Sequence, residues 1–344
     1  MYKSSLVGLM LCLTLLHFNI SLHGQNLVPV GLIPVTAETV SIHRNHAYIS
    51  DGPTLNIFDI ADSTAPNLVG SFTFSKNIYG VSVVDSLLYA AIDFDGVGVL
   101  DISDPSNPEL LSTFKTPGQA LSVDGAGSIV AVANRLSGLE VINASNPRAP
   151  ISQGSYFTEG YAIDVAISNS FGYVLDTPGG LSIVDLSGTD ELLVMSTTTT
   201  ESRFAAVGVT TMPTSTGSNR TIIGLLSTES ILELFDGSDP SNPRLISTYQ
   251  DAERKRTIDF AGAAATVGLV RISIAEATVI LTDSYPPYAV QAIDISNPEN
   301  PRLFGTYSPL STPSDVAISG ELVLLAVNSA ADAEAGVHIL RLEK

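Results

Sequence analysis

Arg203, Arg254, Lys255 and Arg256 stand out in a chain with 16 Lys and Arg against 35 Asp and Glu. A guanidinium presents planar pairs of donors, so Arg203, Arg254 and Arg256 gathered on one rim would suit a carboxylate, a phosphate or an acidic glycan. The plainer role is pairing with Glu201, Asp251 and Glu253 beside them, as surface ion pairs worth about 0–1 kcal/mol each. Tyr79, Tyr161 and Phe204 open apolar runs, and an internal alignment places them on the same rim as Glu38, Gln119, Arg256 and Thr312. A mixture of aromatic and polar side chains at one mouth is the composition of a ligand or partner site.

Other chemistry is thinly represented. Asp93-Phe94-Asp95-Gly96 puts two carboxylates and a glycine in one turn, without the further oxygens and terminal Glu of a calcium loop. His43 and His46 flank a turn and His338 lies far along the chain, with no third ligand at a useful spacing, so no metal is expected. Asp164, Asp259 and Asp315 head apolar runs and could form a carboxylate set at a channel mouth. That set carries the alternative reading, an extracytoplasmic hydrolase or lyase. The chain has no GxSxG elbow, P-loop, HExxH or glycine-rich dinucleotide turn, so no catalytic residue and no cofactor is assigned.

The formal charge of −19 repels phosphate backbones and anionic lipid, which removes nucleic acid from the expected partners. Cys12 is the one cysteine, so neither a disulfide framework nor a cysteine metal site is available. It lies in an apolar run, Leu6 to Leu16, that follows Lys3 and precedes small residues near Gly24. This is the pattern of a secretory signal over residues 1–24, too short for a bilayer span of about 20 residues. The expected product is an extracytoplasmic domain, 25–344, without a membrane span after cleavage.

The elements that would position these residues follow from a repeat. LNIFDIADSTAPNLVGSF from Leu55 returns as VGVLDISDPSNPELLSTF from Val97, LEVINASNPRAPISQGSY from Leu139, LSIVDLSGTDELLVMSTT from Leu181, LELFDGSDPSNPRLISTY from Leu232 and VQAIDISNPENPRLFGTY from Val290. A truncated seventh copy begins at Val337. The landmarks Asp59, Asp101, Asn143 and Asp185 are 42 residues apart in each step, and later intervals are longer. Within a unit, runs of β-branched and aliphatic residues alternate with turn residues and no helical period appears, so each unit reads as four strands. In the unit of Asp185 these are 162–168, 171–176, 181–186 and 192–197. The prolines of the SDPSNP segments break the chain between the third and fourth strands.

Four strands every ~40–50 residues, seven times, predict an all-β, seven-bladed β-propeller. The seventh unit stops before its fourth strand, while LVPVGLI (27–33) carries the Val-Gly pair that Val69-Gly70 shows in a fourth strand. The N-terminal segment is therefore expected to complete the C-terminal blade and close the ring. The insert 212–220 is expected to be a flexible excursion between two strands.

The chain has no Trp, which sets it apart from WD-type blades. The phrases LSIVDLS, VGVLDIS and VQAIDIS, followed by DP-x-NP, resemble the LVIVD-repeat family of secreted and surface propeller proteins. The resemblance implies an exported propeller and adds little about biochemical role. The combined expectation is a monomeric, noncatalytic binding module acting through one annular face, with Tyr79, Tyr161, Arg203, Phe204, Arg254 and Arg256 as contacts for an unknown protein, an anionic glycan or a small ligand.

Overall fold

The repeat arithmetic translates directly into sheets. The computed structural model describes residues 27–177, 180–188, 192–198, 204–214, 216–251, 272–283, 288–328 and 335–343, and the described residues contain strands and no helix. The strands form seven four-stranded antiparallel sheets, each ordered A-B-C-D from the inside of the ring outward. Blade one spans Thr39–His43, His46–Asp51, Thr54–Asp59 and Asn67–Thr73. Blades two to six begin at Gly80, Ser122, Tyr161, Phe204 and Ile272.

Blade seven is Thr312–Ser319, Leu322–Asn328 and Gly336–Leu342, completed by Leu27–Ile33 from the other end of the chain. Leu27 pairs with Leu342 and Ile33 with Val337, so the ring closes through a non-covalent seam as the repeat predicted. The strand limits of the fourth unit also hold closely: Tyr161–Ser168, Phe171–Thr177, Gly180–Asp185 and Leu193–Thr198. The insert differs from expectation. Residues 212 and 213 pair with 220 and 219, so this hairpin extends the ladder instead of leaving it. Arg220 at its base donates to Asp236 Oδ2 at 2.9 Å and to Glu299 Oε1 of the next blade at 3.0 Å.

Strands B and C are apolar on both faces because each blade is sandwiched between two others. One apolar cluster fills each interface. Tyr48, Leu55, Ile57, Leu88 and Leu100 lock blades one and two, for example, and Leu27, Val290, Leu325 and Leu340 lock blades six and seven.

Polar devices set the register between neighbours, and all act in one direction around the ring. The C–D loops are pairs of Asx turns: Asp101 Oδ1 accepts from the Ser103 N–H at 2.9 Å, and Asp104 Oδ1 from the Ser106 N–H at 3.0 Å. These turns aim a proline carbonyl at strand D of the preceding blade. Ser112, Ser196 and Ser247 donate through Oγ to the carbonyls of Pro147, Pro240 and Pro298 at 2.6, 2.8 and 2.6 Å. Glycine takes the same place where blades approach more closely, and a Cβ on Gly70 would lie 2.1 Å from the Pro105 carbonyl oxygen. The SDPSNP segments are thus inter-blade latches as well as chain breaks.

The second position of strand C also varies by blade, carrying Glu140 in blade three, Glu233 in blade five and Gln291 in blade six. Burial pushes the Glu140 carboxyl above the usual range, against a 2.6 Å hydrogen bond donated by Ser152 Oγ. A raised folded value means that the stability Glu140 contributes is present below the ordinary glutamate range and lost as pH rises through the folded value. Glu140→Gln removes a buried charge and keeps an acceptor for Ser152. The expected result is a gain on the order of 1 kcal/mol or less at neutral pH that disappears near pH ~3.5. Thermal melts at both pH values check it, and a gain equal at both would contradict the assignment.

Candidate functional site

The B–C turns and D–A connections form one face of the ring, and the A–B and C–D turns form the other. On the first face, blades two and three carry matching five-residue turns, Ile92 to Gly96 and Asn134 to Gly138. In each the first N–H donates to the last carbonyl, at 2.8 and 2.7 Å. Asp93 and Arg135 are equivalent, at φ +55° and +50°, and each forms an isolated bridge to the next blade, at Ala120 in the connection and at Ala162 in the first strand. Ile92 is thus the equivalent of Asn134.

These turns link three blades through side chains. Gln119 Nε2 donates to Asp93 Oδ1 at 2.8 Å, Arg135 Nη1 donates to Gln119 Oε1 at 2.7 Å, and the Arg135 guanidinium lies 5.8 Å from the centroid of the Tyr161 ring. The tips of the same turns, Phe94 and Leu136, are 58% and 64% exposed, and Phe157 in the connection to blade four is 75% exposed. With the exposed Tyr79 and Tyr161 they place five exposed apolar side chains on this face of blades two to four, whose turns the Asp93–Gln119–Arg135 chain links.

The exposed apolar side chains fall in two zones. Among the described residues, the large hydrophobics that are exposed lie either along the outer D strands, as Leu68, Leu110, Leu245 and Leu303 do, or on this face, where Leu310 joins the five above. The D-strand residues, with Ile151 and Leu193 among them, stand at the first or second position of their strands, beside the C–D turns of the opposite face. That face holds two clefts of about 310 and 290 Å³ at the junctions of blades three and four and of blades one and two.

The residues picked out by sequence separate accordingly. Tyr79 and Tyr161 are on the face and exposed, although they are not equivalent: the Tyr79 N–H donates to Ala91, the bond that Leu121 makes in blade three, while Gln119 matches Tyr161. Phe204 is a correction. It is 4% exposed and packs with Tyr173, Leu175 and Leu225 between blades four and five, so it offers no contact surface. Arg203, Arg254, Arg256 and Asp259 lie outside the described residues. Phe94, Leu136, Phe157 and Arg135 were missed as contacts. Their signal was present as bulky apolar residues at turn tips, where Asn, Asp, Gly and Ser prevail.

The carboxylates sort the same way. Glu38 is pushed up by burial and by the neighbouring Asp51, and the Tyr79 phenol by burial and then by Asp93 and Glu38. Asp95 Oδ2 accepts from Ser75 Oγ at 2.6 Å, so Asp93 and Asp95 are both bound to side-chain donors and do not converge on a cation. Inside the channel, Asp124, Asp164 and Asp315 accept main-chain N–H bonds from Ile167, Val207 and Val40 of the following blade at 2.7, 3.0 and 2.8 Å. Ser82 and Ser122 of the preceding blades donate to Asp124 and Asp164 at 3.0 and 2.7 Å. Burial pushes Asp124 up, against the Ile167, Ser82 and Gly125 donors. These aspartates act as staples between inner strands. His338 accepts or donates at Nδ1 with the Tyr307 hydroxyl at 2.8 Å, toward blade six and away from His43. Among the described residues no helix is long and apolar enough to cross a membrane.

Comparison with known proteins supports the fold on independent grounds. Solved structures similar to the chain include the β-propeller domain of Cps50 (Swd1) from Myceliophteria thermophila, at 12% identity and TM-score 0.68 over 92% of this chain and 100% of that one. U3-55K has 9% identity and TM-score 0.68 over 92% and 98%, and the WD40 repeats of RRP9 have 9% and 0.67 over 92% and 97%. At these identities the likeness shows the fold alone. No curated protein matches the sequence. The LVIVD repeat matches residues 36–73, 79–116, 159–200 and 291–308, which fall in blades one, two, four and six. Those segments lie in a ring of seven closed blades, so the repeat match and the β-propeller fold agree.

Proposed function

We propose that the protein is a noncatalytic binding module, exported from the cytoplasm, that docks a partner protein on the face of its B–C turns and D–A connections. The observation that carries this reading is the presence of Tyr79, Phe94, Leu136, Phe157 and Tyr161, all exposed, in the turns and connections of one face over blades two to four. Contiguous exposed apolar surface with a polar rim is characteristic of interaction sites. Phe94 and Leu136 sit on turns fixed by internal hydrogen bonds and by bridges to the next blade, so little ordering cost attends their use. The partner this surface suits is a segment with aliphatic or aromatic anchors. Export rests on Lys3 and the Leu6-to-Leu16 run.

Among the described residues no observation favours the catalytic reading. Asp164 and Asp315 are engaged in holding neighbouring blades. The test is a random-peptide display selection on the purified protein, scored against a Phe94→Asp/Phe157→Asp variant with an unchanged thermal melt. Peptides with apolar anchors should enrich on the wild type and lose at least tenfold in affinity on the variant, about 1.4 kcal/mol or more. Equal enrichment on both would remove this face as the site.

A further inference from the structure

The A–B turns of blades one and two face each other across the cleft of about 290 Å³. Arg44 and Asp85 are equivalent residues that line it from opposite sides: each is the first of a two-residue turn, at φ +54°, after the strand pairs closed by His43–His46 and Val84–Leu87. Gly127, Asn169, Glu276 and Gly320 hold that place in other blades. Among the described residues, the junction of blades one and two is therefore the one where this position sets a cation across from a carboxylate.

The two charges stand near each other without pairing. Among the described residues neither side chain takes part in an ion pair or a side-chain hydrogen bond. Burial lowers the His43 pKa, after which the Arg44 charge lowers it and the Asp85 charge raises it, so both charges lie close to one ring. Tyr48 also lines the cleft. It is 2% exposed, and its hydroxyl has no hydrogen-bond partner among the described residues, although a phenol this buried ordinarily finds one. Burial pushes that phenol up to about 12 and Arg44 pulls it back, so at neutral pH it is a donor held near the guanidinium.

We infer that this cleft binds a free amino acid, with its carboxylate on the Arg44 guanidinium and the Tyr48 hydroxyl and its ammonium on the Asp85 carboxylate. A simple anion would meet Asp85 and a simple cation would meet Arg44, whereas a zwitterion uses both. A guanidinium bonds a carboxylate through two parallel charge-assisted hydrogen bonds. Ile102, Pro105 and the Tyr48 ring supply the apolar share of the lining, so the side chain preferred is aliphatic. Small-ligand sites run from ~300 to 1,000 Å³, and a cleft at the lower end suits one amino acid better than a peptide. Arg44 and Asp85 are exposed to solvent, which sets the expected dissociation constant at ~1 mM. The inference does not depend on the docking face, which lies on the other side of the ring.

The test is a ligand-observed NMR titration with three probes: L-leucine, N-acetyl-L-leucine, which lacks the ammonium, and L-leucinamide, which lacks the carboxylate. Wild type should bind L-leucine and should bind each derivative at least tenfold more weakly. Arg44→Gln should weaken L-leucine at least tenfold and cease to distinguish it from L-leucinamide. Asp85→Asn should do the same with respect to N-acetyl-L-leucine, and Tyr48→Phe should weaken L-leucine alone among changes that keep both charges. All variants are compared at matched melting midpoints, which separates loss of a ligand group from loss of fold. No binding of L-leucine up to ~50 mM, equal binding of the three probes, or unchanged binding in the Arg44→Gln/Asp85→Asn double variant would overturn the assignment.

Discussion

Removing Leu27–Ile33 should make the chain aggregate. The strand places Ile33 in the cluster between blades seven and one and Leu27 in the cluster between blades six and seven, so its loss opens both interfaces of the closing blade. Both residues are essentially fully buried, and their transfer alone accounts for about 3–6 kcal/mol, a large part of the 5–15 kcal/mol that holds a typical domain. Deletion also bares the edge of Gly336–Leu342, an apolar strand with unpaired main-chain groups that pairs readily with other chains. Size-exclusion chromatography with light scattering should show oligomers, and the thermal transition should broaden and fall. A synthetic peptide of residues 27–33 should restore part of the midpoint. A truncated chain that stays monomeric with an unchanged midpoint would refute the seam.

Gly70→Ala should be, with Gly31→Ala, among the most damaging single-methyl changes in the outer strands. The added Cβ would stand 2.1 Å from the Pro105 carbonyl oxygen and 3.1 Å from its carbon, both main-chain atoms. The loop carrying them is held by the Asp101 and Asp104 turns, so it cannot give way cheaply. Overpacking of this kind costs about 1–3 kcal/mol and sometimes more. Ser112→Ala at the corresponding place in blade two loses one hydrogen bond and creates no clash, so about 1 kcal/mol is expected. Chemical denaturation of the two variants side by side separates steric exclusion from hydrogen-bond loss. Equal effects would mean that the glycine is incidental.

The architecture was legible because it is repeated. A phrase that recurs with an Asp or Asn landmark marks the end of strand C, and the unit of Asp185 gave its four strands to within a residue at most limits. The closing strand was legible for the same reason: the Val-Gly pair before a missing fourth strand encodes the same close approach that Gly70 makes. The site was less legible because exposure is decided by neighbours distant in sequence. Phe204 and Tyr161 both open inner strands, yet blades four and five enclose the first while the second lies in the open beneath Arg135.

The latches all point the same way: strand D of each blade that carries one receives the loop of the blade that follows, and the aspartates of the inner strands reach in the same sense. A ring joined in this manner has handed neighbours, in that the groups a blade offers on one side differ from those it accepts on the other. A blade excised and reinserted in the same position of the cycle would meet matching groups, whereas a blade with the Ser112 latch put in place of the blade of Gly70 would set a serine where the neighbouring loop leaves no room for a side chain. The order of the repeats is therefore part of the fold, and seven similar sequences are not seven interchangeable parts.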